Sequence, residues 1–133
     1  MKRLGIVICA AACLLGAVAL QSHGEQRDDL RDFMRAKLRH SQKVLEGLVL
    51  GDYEMIIKGS QEMALLSLAS NWQVLQTPEY IEYSRKFRSA TEALSAAASK
   101  QNLDESTAAY NRLTTRCVEC HKYVRDVRMA KAN

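Results

Sequence analysis

The chain has 133 residues, enough for one domain, with 19 Lys and Arg against 15 Asp and Glu for a formal net charge of +4. The two signs are interspersed and only 6% of residues are aromatic. There is thus no basic stripe or aromatic ladder of the kind nucleic-acid binding needs, and no internal repeat or low-complexity tract.

The first 24 residues differ from the rest. A basic start, Met1-Lys2-Arg3, precedes an uninterrupted apolar run from Leu4 to Leu20, and no acid appears before Glu25. This is the layout of a secretory signal peptide, with cleavage expected near Ala17-Val18-Ala19 or Ser22-His23-Gly24. Retention as an uncleaved anchor is the alternative, since a run of 17 residues lies at the lower limit for crossing a bilayer. Removing residues 1–24 takes away Lys2 and Arg3, leaving 17 basic residues against 15 acidic ones, a net charge of +2. Cys9 and Cys13 leave as well, so the expected mature domain, 25–133, holds only Cys117 and Cys120. A disulfide between two residues so close in sequence would close a tiny loop, a poor way to staple a domain.

Past this segment the apolar residues recur at helical spacing and nowhere alternate as a strand requires. A first helix is expected from about Arg27 to Leu50, with Leu30, Met34, Leu38, Ser41, Leu45 and Leu48 facing inward and Gly51-Asp52 ending it. A second runs from about Tyr53 to Leu75, with Ile56, Met63 and Leu66 on one stripe and Leu65, Leu68 and Trp72 on another. Thr77-Pro78-Glu79 then reads as an N-cap, a first-turn proline and an acid favoured by the helix dipole. The third helix carries Ile81, Ser84, Phe87, Thr91, Leu94 and Ala98. Asn102, with Glu105 three residues on, opens a fourth whose stripe is Leu103, Thr107, Tyr110, Thr114, Cys117, His121 and Val124. Short connections favour antiparallel neighbours, so the expected fold is an all-α antiparallel four-helix bundle. Several inward positions hold Ser, Thr or Ala, which either bring helices close together or leave room for something large.

The last helix carries Arg116-Cys117-Val118-Glu119-Cys120-His121-Lys122. Residues three and four apart share a helical face, which aligns Cys117 with both Cys120 and His121. Two thiols one turn apart can each form a thioether to one haem vinyl group, and the next imidazole can then reach the iron. Cys117 to His121 is therefore a c-type haem attachment sequence. Three other accounts compete. A structural zinc site would need further ligands, His40 among them. A thioredoxin-type pair would need a strand-to-helix turn that the pattern lacks. Ordinary surface cysteines would make the spacing a coincidence.

The run from Arg116 to Arg125, the helix opening Asn102-Leu103-Asp104 and Gly47-Leu48-Val49-Leu50-Gly51-Asp52 together resemble the class II c-type cytochromes, cytochrome c′ and its low-spin relatives. The resemblance covers the mature chain in layout but only these stretches in residues. It implies one covalent haem c on the C-terminal helix, thioethers at Cys117 and Cys120, and His121 as the proximal iron ligand. It also implies that one residue of the first helix faces the open side of the iron. Counting back from Gly51 gives position 34 or 35, and Met34 is the chemically sensible ligand; the plain alternative is core packing. A basic residue near a propionate matches Arg125, in a region that also holds Lys122 and Arg128, although a solvated helix end accounts for the same charge. His40 reads as a partly exposed histidine, with iron ligation the lesser account. Trp72 and Tyr110 pack either on the macrocycle or on each other.

The expected function is that of an exported, periplasmic monohaem cytochrome carrying single electrons to and from redox partner proteins, without enzymatic activity. The alternatives are a five-coordinate haem protein that binds nitric oxide or carbon monoxide, and a haem-free helical interaction module. Pairing into homodimers through the first two helices is implied by the resemblance and permitted by apolar Val49, Leu50 and Ile57. No nucleic-acid partner is expected, and no membrane partner unless the N-terminal segment is retained.

Overall fold

The computed structural model describes residues 31–70 and 75–132. The chain divides into two compact units, Met1–Asp32 and Phe33–Asn133. Of the first only Arg31 and Asp32 are described, and the expected signal segment, His23 and Leu30 lie outside the described residues, as does Trp72.

The described residues form four helices and no strand: α1 over 31–50, α2 Tyr53–Ser70, α3 Pro78–Ser99 and α4 Leu103–Ala132. They make an antiparallel four-helix bundle. No helix among the described residues is long and apolar enough to cross a membrane.

Each boundary follows from local chemistry. Gly51, at φ +68°, ends α1 in a left-handed residue. The Asp52 amide then donates to the Gly47 carbonyl at 2.8 Å and the Gly51 amide to Leu48 at 3.4 Å, the paired bonds of a Schellman motif. Asp52 at once opens α2, accepting from the Met55 amide at 2.9 Å through its carboxylate. The link between α3 and α4 repeats this design. Asn102 donates to Ala97 at 3.3 Å and Gln101 to Ala98 at 2.9 Å, and the Asn102 side chain accepts from Glu105 at 3.0 Å. Here the left-handed position belongs to Gln101, at φ 53°. Thr77 caps α3 by accepting from the Tyr80 amide at 3.2 Å, with Pro78 at the first helical position. The second helix is described as far as Ser70 and Leu75 is not helical, so its end lies outside the described residues.

Val44, Leu48, Ile56, Met63, Phe87, Leu94, Ala98, Ala109 and Leu113 form the buried core. In α3 the expected stripe is the buried one, except that Tyr80 is buried and Ile81 exposed. In α2, Ile56 and Met63 are buried as expected, while Leu65 and Leu68 are exposed.

Two helices are rotated from the expected orientation. On α1, Leu38 and Leu45 are 59% and 49% exposed, while Lys37, His40, Val44 and Gly47 turn inward beside the expected Ser41 and Leu48. The cause is close approach to α2. A Cβ on Gly59 would lie 2.7 Å from Val44 Cγ2 and 3.1 Å from the His40 carbonyl oxygen. A helix pair this tight needs small residues at the crossing, and that requirement outranks the leucines. On α4, Leu103, Thr107 and Thr114 are exposed, whereas Ser106, Ala109 and Leu113 are buried. The hydroxyls that turn inward bond back to their own helices: Ser60 to the Ile56 carbonyl at 2.9 Å and Ser106 to Asn102 at 2.7 Å. Among the described residues no buried side-chain polar atom lacks a partner.

Gly59→Ala tests the crossing. Alanine is the better helix former by about 1 kcal/mol, but the obstructing carbonyl is backbone and cannot swing aside. A net loss of about 1–2 kcal/mol is expected, read as a lower urea midpoint with unchanged slope.

Candidate functional site

The core fills the end of the bundle that holds the Gly51 and Gln101 turns. The attachment sequence lies toward the other end. There the C-terminal half of α4 runs beside the start of α3. The Tyr123 hydroxyl lies 2.7 Å from the Thr77 hydroxyl and donates to Glu79 at 3.5 Å. Its ring stands 5.3 Å from that of Tyr83.

Across the bundle, α4 is keyed to α1. The Tyr110 hydroxyl donates to the Ser41 carbonyl at 3.1 Å and lies 3.1 Å from the Ser41 hydroxyl. This is where Tyr110 spends its polar end, while the ring packs on the core. Because α1 and α4 are antiparallel, stepping forward on one means stepping back on the other. Seven residues of helix rise about 10 Å, which brings Cys117 level with Met34 and Thr114 level with Lys37. Helical side chains lean toward their own N-termini. The side chain of Lys37 and those of Cys120 and His121 therefore lean toward the same level from opposite sides.

Cys117 and Cys120 are free thiols, both half-buried, and Cys117 packs against the core. Burial is the main influence on each and raises its pKa above the ordinary 9.0, with Lys37 pulling the other way. Both stay protonated near neutral pH. A thiol-disulfide exchange pair needs the reverse: a depressed pKa at a helix N-terminus. These cysteines sit mid-helix in a span of 30 residues.

His121 is on the exposed side of the motif. Its surroundings nevertheless lower its pKa, first through desolvation and then through the positive charges of Arg125 and Lys37. The neutral ring keeps a lone pair available for a metal. Arg125, expected near a propionate, is exposed one turn beyond His121; Lys122 and Arg128 are exposed too. Met34 is half-buried on α1, although Leu38 and Leu45, expected to share its inward face, are exposed. His40 is half-buried at the α2 crossing. Among the described residues no three His, Cys, Asp or Glu side chains converge to hold a metal ion, so the donors form a line along one helix. Arg116 flanks that line, bonded to Glu119 at 2.7 Å.

The residue that pattern reading overlooked is Lys37. It is half-buried, and its ammonium sits over the Phe87 ring at 5.3 Å from the centroid. Burial is the largest influence on its pKa and lowers it; Cys120 and Cys117 act in the opposite sense and Arg88 adds to the lowering. A lysine three residues from Met34 and four from Ser41 was the available signal. Tyr80, 3% exposed, completes the wall on the α3 side. Its phenol pKa is raised, chiefly by burial, against a hydrogen bond from Ser84, with Cys120 nearby adding to the rise.

Comparison of the chain with protein-family models, curated proteins and solved structures finds no match. The reading of the site therefore stands on its residues.

These shifts make stability depend on pH in opposing ways. Below the ordinary histidine value of 6.5 the unfolded chain takes a proton that folded His121 resists, so stability falls as pH falls. Tyr80, Cys117 and Cys120 hold their protons to higher pH when folded than when unfolded. Their contribution is intact below the ordinary values of 9.0 and 10.0 and is lost as pH rises through the raised ones. Lys37 works the other way: its lowered pKa adds stability as pH rises toward the ordinary value of 10.5. Tyr80→Phe should flatten the alkaline fall of the urea midpoint and Lys37→Met should steepen it, and an alkaline limb that neither variant changes contradicts the assignment.

Proposed function

We propose that this chain is an exported monohaem c-type cytochrome whose bundle carries one covalent haem for single-electron transfer. The observation that carries the reading is the state of the donor set on α4: two free, half-buried thiols one turn apart, followed by an imidazole that its surroundings keep neutral. That set fits the group, which requires protonated thiols at vinyl spacing and an unprotonated nitrogen beside them. When bound there, a haem supplies a one-electron iron couple.

In this reading Cys117 and Cys120 hold the macrocycle and His121 ligates the iron. Tyr80 and Phe87 limit water on the α3 side. Met34, at the level of Cys117 on α1, offers a thioether from the opposite wall, a ligand that favours the reduced state. Arg125 is the propionate contact from the helix end. The chain works outside the cytoplasm, where covalent attachment prevents loss of a cofactor that is not readily replaced. Its partners are redox proteins, its role is transfer and not catalysis, no nucleic acid takes part, and a membrane does so only if the N-terminal segment is retained. Pairing of two copies through α1 and α2 belongs to the same reading, supported by exposed Val49 and Leu50 together with Leu38, Leu45, Leu65 and Leu68. Ile57 does not belong to that surface, since it packs against the core.

The test is the mass and absorption spectrum of the exported chain. One added haem with low-spin bands and a weak methionine-to-iron feature is expected, and Met34→Ala should convert it to a high-spin ferrous form that takes up carbon monoxide. High-spin bands in the unaltered chain would establish the five-coordinate alternative. A colourless polypeptide with the mass of its amino acids alone would leave a helical interaction module.

A further inference from the structure

Lys37 is a half-buried cation on the inward face of α1. Its ammonium sits over the ring of Phe87, a core residue in the cluster on which Cys117 packs. The Ser41 to Tyr110 key sets its level against the motif, and side-chain lean brings the two together. Its charge is felt at Cys117, Cys120 and His121 alike, the three residues to which the proposed function assigns the haem.

We propose that Lys37 is the charge-setting residue of the haem site: its ammonium, facing Cys117, Cys120 and His121 from α1, raises the reduction potential of iron bound at His121. The inference rests on the cytochrome reading. The physical reason is Coulomb's law. Oxidised iron carries one more positive charge than reduced iron, so a fixed cation nearby disfavours the oxidised form. Half-burial shields the interaction from salt better than an exposed charge would be. At about 10 Å and an effective dielectric near 20, one charge is worth about a tenfold shift in the oxidation equilibrium.

The position of Lys37 also separates this role from propionate binding. Lys37 acts on both cysteines from α1, while Arg125 lies on α4 itself, one turn beyond His121. Arg88 on α3 lowers the pKa of Lys37, and Arg125 on α4 acts with Lys37 on His121.

The experiment is a redox titration of the haem-loaded chain near neutral pH at fixed ionic strength, with Lys37→Gln, Lys37→Leu and Lys37→Arg. Leucine retains apolar packing on Phe87, so it serves where glutamine fails to fold. Both neutral variants are expected to shift the equilibrium against a mediator of fixed potential about tenfold toward oxidised iron. Arginine is expected to restore the original value, and all four spectra should keep the same ligation bands. Neutral variants that match the original, or an arginine variant that falls as far as they do, overturn the proposal. So does loss of the original ligation bands in all three variants, which would make Lys37 an iron ligand instead. An original chain with no Soret band overturns the cytochrome reading as well; a haem-loaded chain indifferent to the charge overturns this inference alone.

Discussion

Tyr110 reaches from α4 to Ser41 on α1, and its two contacts at 3.1 Å decide which residues of α1 stand opposite the cysteines. A hydrogen bond of this kind contributes only about 1 kcal/mol net. Its importance is positional. Helix rise is rigid, so a key at one level fixes every other level along an antiparallel pair. One turn toward the α1 N-terminus comes Lys37, and nearly two turns away comes Met34. The identity of the groups around the motif is thus inherited from a contact well inside the bundle.

Close packing supplies the second constraint. Gly59 lets α2 meet α1 at backbone distance, which rotates α1 until Val44 and Gly47 are buried and Leu38 and Leu45 face solvent. The same rotation brings Lys37 inside. A half-buried ammonium costs desolvation, and here that cost is partly offset by the Phe87 ring face. Meanwhile surface ion pairs such as Arg85 with Glu82 contribute little. The bundle is held by its core and by paired end motifs; its charges matter where they are withdrawn from water.

Burial acts on the motif in a chemically consistent direction. It keeps both thiols protonated and the imidazole unprotonated, a state unlike that of a reactive dithiol. The neighbours of His121 are positive, which also opposes its protonation. These effects arise from three helices, α1, α3 and α4, meeting at one end of the bundle.

Helix number and order, and the ends set by these caps, could be read from the chain because caps are local: Thr77 before Pro78, Asn102 before Glu105, and Gly51 before Asp52 each act within a turn. The spacing of Cys117, Cys120 and His121 is equally local, so the site on α4 was legible. The inward faces of α1 and α4 were not. Periodicity marks where apolar residues recur, yet the burial of Val44 in place of Leu45, and of Ala109 and Leu113 in place of Thr107 and Thr114, was decided by how near the neighbouring backbone comes. That distance depends on Gly59, a residue on another helix. The sequence by itself determined the four helices and the line of donors on the last one; only the tertiary structure decided that a lysine faces those donors, because helix rotation and register are settled by packing between segments far apart in the chain.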